Sequence, residues 1–173
     1  DLSRDCESDN KAVLFHALGE GDASRIETLY IDSLSDDNQD AYYDEQDEAS
    51  DEAEEDIADV SPFLTQLFGA PYELGEPLTT IVVETKGDKG LNALFRNPPA
   101  SDELLLNPFA LLDGEKPKRV ARPKLPSGAK LTEGGDFGAL TWYLMLAARI
   151  DEKAALAATD GWAGDSFVGY RQG

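Results

Sequence analysis

One segment limits the fold of this chain more than any other. Residues 36–59, DDNQDAYYDEQDEASDEAEEDIAD, contain 13 acidic residues and no basic residue. Repulsion among these carboxylates and their low hydrophobicity oppose burial in a core. The acidity is local, because residues 1–60 hold 21 acids and 3 bases whereas residues 61–173 hold 14 acids and 12 bases. We therefore expect residues 36–60 to form a mobile, solvated loop.

The acidic segment has two functional interpretations besides solvation. A calcium site of the EF-hand type is disfavoured, because the segment lacks the glycine and the terminal glutamate of that loop. Attraction of a basic partner through residues 36–59 stays open. Nucleic acid is disfavoured as a partner, because the net charge is -20 and phosphate backbones are held by clusters of basic residues. The one basic run, KPKRVARPK at residues 116–124, contains prolines and predicts a solvated, extended connection rather than a nucleic-acid patch.

The length and the scarce residue types exclude several further classes. A chain of 173 residues suits one domain. No apolar run approaches the roughly 20 residues needed to cross a membrane, and the first ten residues lack the basic and apolar regions of a signal peptide. Cys6 is the only cysteine, so no internal disulfide forms. His16 is the only histidine, so this chain alone cannot supply a two-histidine zinc site.

The hydrophobic spacing predicts a mainly helical α+β domain in which residues 1–35 and 61–173 flank the acidic segment. A helix is expected over residues 10–34, although Gly19 and Gly21 each cost on the order of 1 kcal/mol relative to alanine in its interior. These glycines suggest that another element approaches closely there. Residues 79–83, TTIVV, fit a strand by propensity, but the length of the segment favours a helix. The other expected elements are helices at 62–70, 75–96, 101–107, 135–148 and 151–160, loop with short extended pieces at 113–133, and a strand of a small sheet at 165–171.

Three motifs in this order carry a family resemblance: ALGEGDAS at residues 17–24, a middle stretch at residues 68–108 that includes FGAPYELGEPL and FRNPPASDELLLNP, and GWAGDSFVGYR at residues 161–171. The chain resembles a group of bacterial secreted or envelope zinc metallopeptidase-like proteins. In that group a His-Glu-x-x-His helix precedes an Asp-Leu start such as Asp1-Leu2, and similar Glu-Gly-Asp-Ala, Pro-Tyr-x-x-Gly, Asn-Pro-Pro and Gly-Trp-Gly-Gly-Asp segments follow.

The resemblance gives Glu20 a role, because a glutamate one helix after His-Glu-x-x-His is the third zinc ligand of such a site. On composition alone, Glu20 is an ordinary surface residue of a helix. The resemblance also implies a peptide or protein substrate and a secreted or cell-envelope location. In the closing motif, it places Trp162 as a core plug beside the last helix and Asp165 as a residue that fixes the turn or faces the site, with Gly161 and Gly164 allowing the turn.

Departures from the pattern shape the expected function. The sequence contains no His-Glu-x-x-His, and Ala163 stands where the family has glycine. We therefore expect a fragment downstream of the zinc helix, or a relative that has lost catalysis, with zinc bound only when the upstream segment is present. The alternative is a non-catalytic, acidic envelope protein that binds a partner.

Overall fold

The computed structural model describes residues 9–57, 59–114 and 116–172. Cys6, Asp1 and Leu2, on which sequence predictions were made, lie outside these ranges. The described residues form a mainly helical α+β domain with one small antiparallel sheet, as the sequence predicts. The elements in chain order are α1 (Asp9–Asp32), α2 (Asp36–Asp56), α3 (Pro62–Arg96), α4 (Glu103–Leu106), α5 (Phe109–Asp113), β1 (Lys130–Gly135), α6 (Gly138–Ala147), α7 (Glu152–Thr159) and β2 (Phe167–Arg171).

The packing of α1 against α3 is the main contact of the fold. Helix α1 buries Leu14, Ala17 and Leu18 completely on one face. At the crossing point Gly21 lies so close to Gly75 that a Cβ on either residue would overlap backbone atoms of the other helix. The expected close approach of a second helix is therefore confirmed at Gly21. It is wrong at Gly19, where a Cβ would meet no atom within 4 Å.

Helix α3 differs from the two separate helices expected at 62–70 and 75–96. It continues through Pro71 and Pro77 and is interrupted only by a kink at Gly87, whose φ of 65° lies in the left-handed region that glycine tolerates. Ser61 is its N-cap residue, without a side-chain capping hydrogen bond, and Pro62 occupies its first turn, where proline is tolerated. The β-branched run at residues 79–83 is helical, which confirms the choice made on length.

The acidic segment is a helix and not a loop over Asp36–Asp56, so that part of the sequence prediction is wrong. Glutamate, glutamine and alanine have high helix propensity, and Asp36 and Asp37 in the first turn favour the positive end of the helix dipole. The expected solvation agrees with the structure, because every described side chain of α2 is exposed except the half-buried Gln39 and Tyr42. Tyr42 Oη donates to Glu27 Oε1 of α1 at 2.9 Å.

The C-terminal strand is confirmed, and its partner is a strand that the sequence did not predict. Strands β1 and β2 pair antiparallel from Lys130 opposite Arg171 to Gly135 opposite Phe167, with a bulge between Leu131 and Glu133. Because β1 takes residues 130–135, helix α6 begins later than the expected residue 135. Helix α5, at residues 109–113, was also not predicted, and α4 is shorter than the expected 101–107.

The hydrophobic core lies between α1, α3, α4 and α6, and α7 packs against α6. None of the helices in the described part of the chain has the length and hydrophobicity that a membrane crossing requires. The buried hydrophobic residues of the main cluster are Leu14, Ala17, Leu18, Ala70, Leu78, Val82, Leu91, Leu104, Leu105, Ala110, Leu140 and Leu144.

Candidate functional site

Glu20, the residue that the resemblance assigns to a metal, lies on the outer side of α1. Its carboxylate Oε1 is 3.0 Å from Nε2 of His16, one helical turn earlier. The side chains are 32% exposed for Glu20 and 52% exposed for His16, so solvent reaches both. The ring of His16 contacts the ring of Tyr72 on α3 edge to face, with centroids 5.8 Å apart. The carboxylate is thus accessible and hydrogen-bonded at the same time.

The described residues do not complete a zinc site by themselves. Zinc takes at least three protein ligands in known structural and catalytic sites. Across residues 9–57, 59–114 and 116–172, no group of three histidine, cysteine, aspartate or glutamate side chains is arranged to hold a metal ion. His16 and Glu20 together supply two donors. His16 was not predicted to accompany Glu20, although its i, i+4 spacing in the sequence is a signal for that contact.

An exposed apolar row on α3 adjoins this pair of residues through the contact of Tyr72 with His16. Leu64, Phe68 and Tyr72 follow one another at intervals of one helical turn on α3, and they are 41%, 68% and 51% exposed. Gly19 of α1 is exposed too and has open space around its Cα. We name these four residues the open face. An exposed apolar surface of this kind is typical of a contact site for another segment or protein.

A second group of carboxylates lies at the start of α6. Asp102, which is 2% exposed, accepts hydrogen bonds from the backbone N–H groups of Ala139 at 2.9 Å and Leu140 at 3.1 Å. It satisfies two of the amides that every helix leaves unpaired at its N-terminus. Burial raises the pKa of Asp102 from its ordinary 3.8 to about 6 against the lowering effect of these two amides, and the nearby Asp136 adds a smaller increase.

Asp165 accepts hydrogen bonds from further backbone amides at the start of α6. Its carboxylate accepts from the backbone N–H groups of Phe137 at 2.8 Å and Gly138 at 3.3 Å, and from Nε1 of Trp142 at 2.8 Å. The sequence interpretation offered two roles for Asp165, fixing local geometry or facing a site. The hydrogen bonds show the first, because three donors hold the carboxylate against the end of the helix.

Gly138 explains why these groups can meet. Its φ of 82° lies in the left-handed region, and a Cβ at this position would overlap the side chains of Asn10 and Asp102. Asn10 in turn donates from Nδ2 to Asp136 Oδ2 at 2.6 Å. A residue with a side chain at position 138 would therefore separate α1, the start of α4 and the start of α6.

The C-terminal motif forms a turn and not a core plug. Gly161 and Gly164 have φ values of 75° and 145°, which confirms that glycine permits the turn. Trp162 is half-buried and lies outside the main hydrophobic cluster, so its expected place in the core is wrong. Its buried Nε1 has no hydrogen-bond partner among the described residues. The backbone of this turn is joined to the basic segment by a hydrogen bond from Lys118 N to Ala163 O.

Comparisons with known proteins add no family assignment. No protein-family model matches the chain, and no curated protein sequence or solved structure shows significant similarity to it.

Proposed function

We propose that this chain is a fragment or relative of a zinc metallopeptidase in which Glu20 is one metal ligand, and that it does not hydrolyse peptides by itself. The observation that supports this proposal is the position of Glu20 beside the open face. The carboxylate is accessible, hydrogen-bonded by His16 and bordered by apolar side chains that nothing in the described structure covers. A helix that carries two histidines and a general base would find both a ligand and an apolar contact surface there.

In such a site the chain's own residues have limited roles. Glu20 would give one anionic oxygen to the metal, and His16 would orient that carboxylate by donating from Nε2. Zinc, when bound, would polarise a peptide carbonyl and lower the pKa of a bound water toward about 7. The open face would exclude water from one side of the site. The residues described here contain no His-Glu-x-x-His, so both histidine ligands and the general base must come from elsewhere.

Zinc binding by a longer form of the protein tests the ligand assignment. A form extended upstream through a His-Glu-x-x-His helix should bind one zinc, and Glu20→Gln should weaken its affinity by at least about 10 to 100-fold, because even indirect partners of metal ligands contribute that much. Glu73→Gln on α3 is the matched control, since Glu73 is exposed and outside the open face. Equal zinc affinity in the Glu20→Gln and Glu73→Gln forms, measured by competition with a chromogenic chelator, would reject the assignment.

A second candidate function is supported by α2. Its described side chains are exposed except for the half-buried Gln39 and Tyr42, and its sequence carries acidic residues without a basic one. This suits a non-catalytic protein that binds a basic partner through residues 36–59. Association of this kind should weaken steeply above an ionic strength of about 0.15 M, where charges are screened over about 8 Å. Zinc-dependent hydrolysis has no such requirement. Binding of a labelled polylysine peptide, measured across a salt series, distinguishes the two functions.

The location outside the cytoplasm is part of the same proposal. A secreted or cell-envelope location is expected from the resemblance in the motifs at residues 17–24 and 161–171. Fractionation of the source cells with an antibody against the chain tests it. Recovery only in the cytoplasmic fraction would reject this part of the proposal.

A further inference from the structure

A polar groove runs between the basic segment and the C-terminal turn, away from Glu20. Its volume is about 1240 Å³, larger than the 300–1,000 Å³ of most small-molecule sites. One wall is the irregular segment 117–122, and the other is formed by residues 162–166 and by the loop before α6. These dimensions suit an extended chain segment better than a compact metabolite.

Three cationic side chains of the groove have no acidic partner in the described part of the chain. Lys118, Arg119 and Arg122 all line it and are exposed. Within the ranges that the structure describes, none of the three forms an ion pair or a side-chain hydrogen bond. This is the opposite of the expected arrangement in a chain with a net charge of -20, where carboxylates are abundant.

The acidic side chains of the groove are already occupied. Asp136 accepts from Asn10, and Asp165 accepts from two backbone amides and from Trp142. The two acidic residues on the groove walls therefore leave Lys118, Arg119 and Arg122 without a counter-ion in the described part of the chain.

Backbone amides of the basic segment are also available to hydrogen-bond a ligand. Lys118 N donates to Ala163 O, but the amides of residues 119–122 donate no hydrogen bond within the described part of the chain. The groove thus combines free backbone amides and cationic side chains along one wall.

We propose that this groove binds an extended acidic peptide segment of another protein, with its carboxylates on Arg119 and Arg122. Charge complementarity identifies the occupant, because Lys118, Arg119 and Arg122 lack an acidic partner in the described part of the chain. A second copy of the chain is a poorer occupant. Its acidic residues 36–56 are helical, and two chains of charge -20 repel each other. A nucleic acid is a poorer occupant, because phosphate backbones are held by larger basic clusters than the few cationic residues that line the groove.

Fluorescence anisotropy with a labelled synthetic peptide of alternating glutamate and valine tests the proposal on the whole chain. The acidic peptide should bind saturably at an ionic strength of about 0.15 M, and the same peptide with glutamine in place of glutamate should not. The double variant Arg119→Glu, Arg122→Glu should bind at least about tenfold more weakly, because hydrogen bonds to charged groups contribute more than neutral ones.

The double variant Lys116→Glu, Lys124→Glu is the matched control. It makes the same change in net charge within the same basic segment, but neither lysine lines the groove. It should bind the acidic peptide nearly as well as the unmodified chain. Absence of binding, or an equal loss in both double variants, would overturn the proposal. Tighter binding of a labelled oligonucleotide would show that the groove binds nucleic acid and would also overturn the proposal. Self-association that the Arg119→Glu, Arg122→Glu variant abolishes would show that it binds a second copy of the chain, with the same consequence. None of these outcomes depends on zinc or on Glu20.

Discussion

Asp102 is the residue whose role depends most strongly on the tertiary fold. The two amides that it caps lie 37 and 38 positions later in the chain. Hydrophobic periodicity and local capping rules predict only that Ser101, Asp102 and Glu103 begin a short helix. The carboxylate instead turns toward α6, because the kinked α3 and the left-handed Gly138 bring the start of α4 against the start of α6. No pattern within a window of the sequence carries that information.

The raised pKa of Asp102 predicts a specific pH dependence of stability. Below pH 3.8 the group is protonated in both states, and above about pH 6 it is ionised in both. Between these values the folded state holds a proton that the unfolded state has released, so this group makes the free energy of unfolding fall as pH rises. A shift from 3.8 to about 6 corresponds to on the order of 3 kcal/mol.

The Asp102→Asn variant should lose this pH-dependent part of the free energy of unfolding. Asparagine keeps one acceptor oxygen for Ala139 or Leu140 and has no titrating proton. Urea unfolding at several pH values from 4 to 7 should therefore show the variant gaining stability relative to the unmodified chain as pH rises, by on the order of 3 kcal/mol in total. A difference between the two proteins that stays constant with pH would contradict the prediction.

Glu20 shows what a resemblance adds at the residue scale. Its residue type and exposure are those of many surface glutamates, and only the Glu-Gly-Asp-Ala motif singles it out. The structure supplies its contact with His16 and the open face around it. The periodicity of α3 does not reveal that Phe68 and Tyr72 stay uncovered, because large apolar side chains at helical spacing are expected to pack inward.

At the scale of elements, α2 shows the limit of charge as a predictor. Thirteen acids without a base correctly predict solvation of the described part of this segment, where the acidic side chains are exposed. They do not predict the absence of a helix, because solvated glutamate, glutamine and alanine retain their helix propensity. The kink of α3 at Gly87 is a second case in which a local signal misleads. The KGDKG run predicts a turn, whereas the chain is helical on both sides of Gly87.

Removal of α2 should leave the rest of the fold intact. Replacing residues 36–59 by a glycine-serine linker should change the melting temperature by less than about 2 °C, which for a chain of this size corresponds to about 1 kcal/mol or less. The physical reason is that α2 buries almost none of its described side chains. A loss of many degrees would show that the segment packs or binds an ion.

The same replacement should abolish binding of a polylysine peptide if α2 is the interaction surface. The variant Asp44→Asn, Glu45→Gln, Asp47→Asn is the control, because it keeps the helix-forming side-chain lengths while removing three exposed charges. It should bind polylysine with intermediate affinity. Full binding without residues 36–59 would reject the second candidate function and leave the metallopeptidase proposal untouched.

At the scale of the whole molecule, the proposed functions occupy separate surfaces of one core. The open face lies on α1 and α3, the acidic surface is α2, and the groove lies between the basic segment and the C-terminal turn. The open face and the groove both involve α1, which carries Glu20 and also Asn10, whose side chain reaches Asp136 before α6. The sequence predicts the α1–α3 crossing in part. A glycine inside a helix indicates that another element approaches closely, but it does not show which element that is.

Gly21→Ala should therefore destabilise the entire domain. The added Cβ would overlap the backbone of Gly75, which cannot move aside as a flexible side chain does. Forcing the helices apart should cost about 1–3 kcal/mol, which lowers the melting temperature by roughly 2–4 °C for each kcal/mol. Gly19→Ala is the matched control on the same helix, because its Cβ meets open space and alanine is favoured there by about 1 kcal/mol. Thermal unfolding followed by circular dichroism should show opposite shifts for the two variants, and a stabilised Gly21→Ala protein would show that the crossing does not hold the fold together.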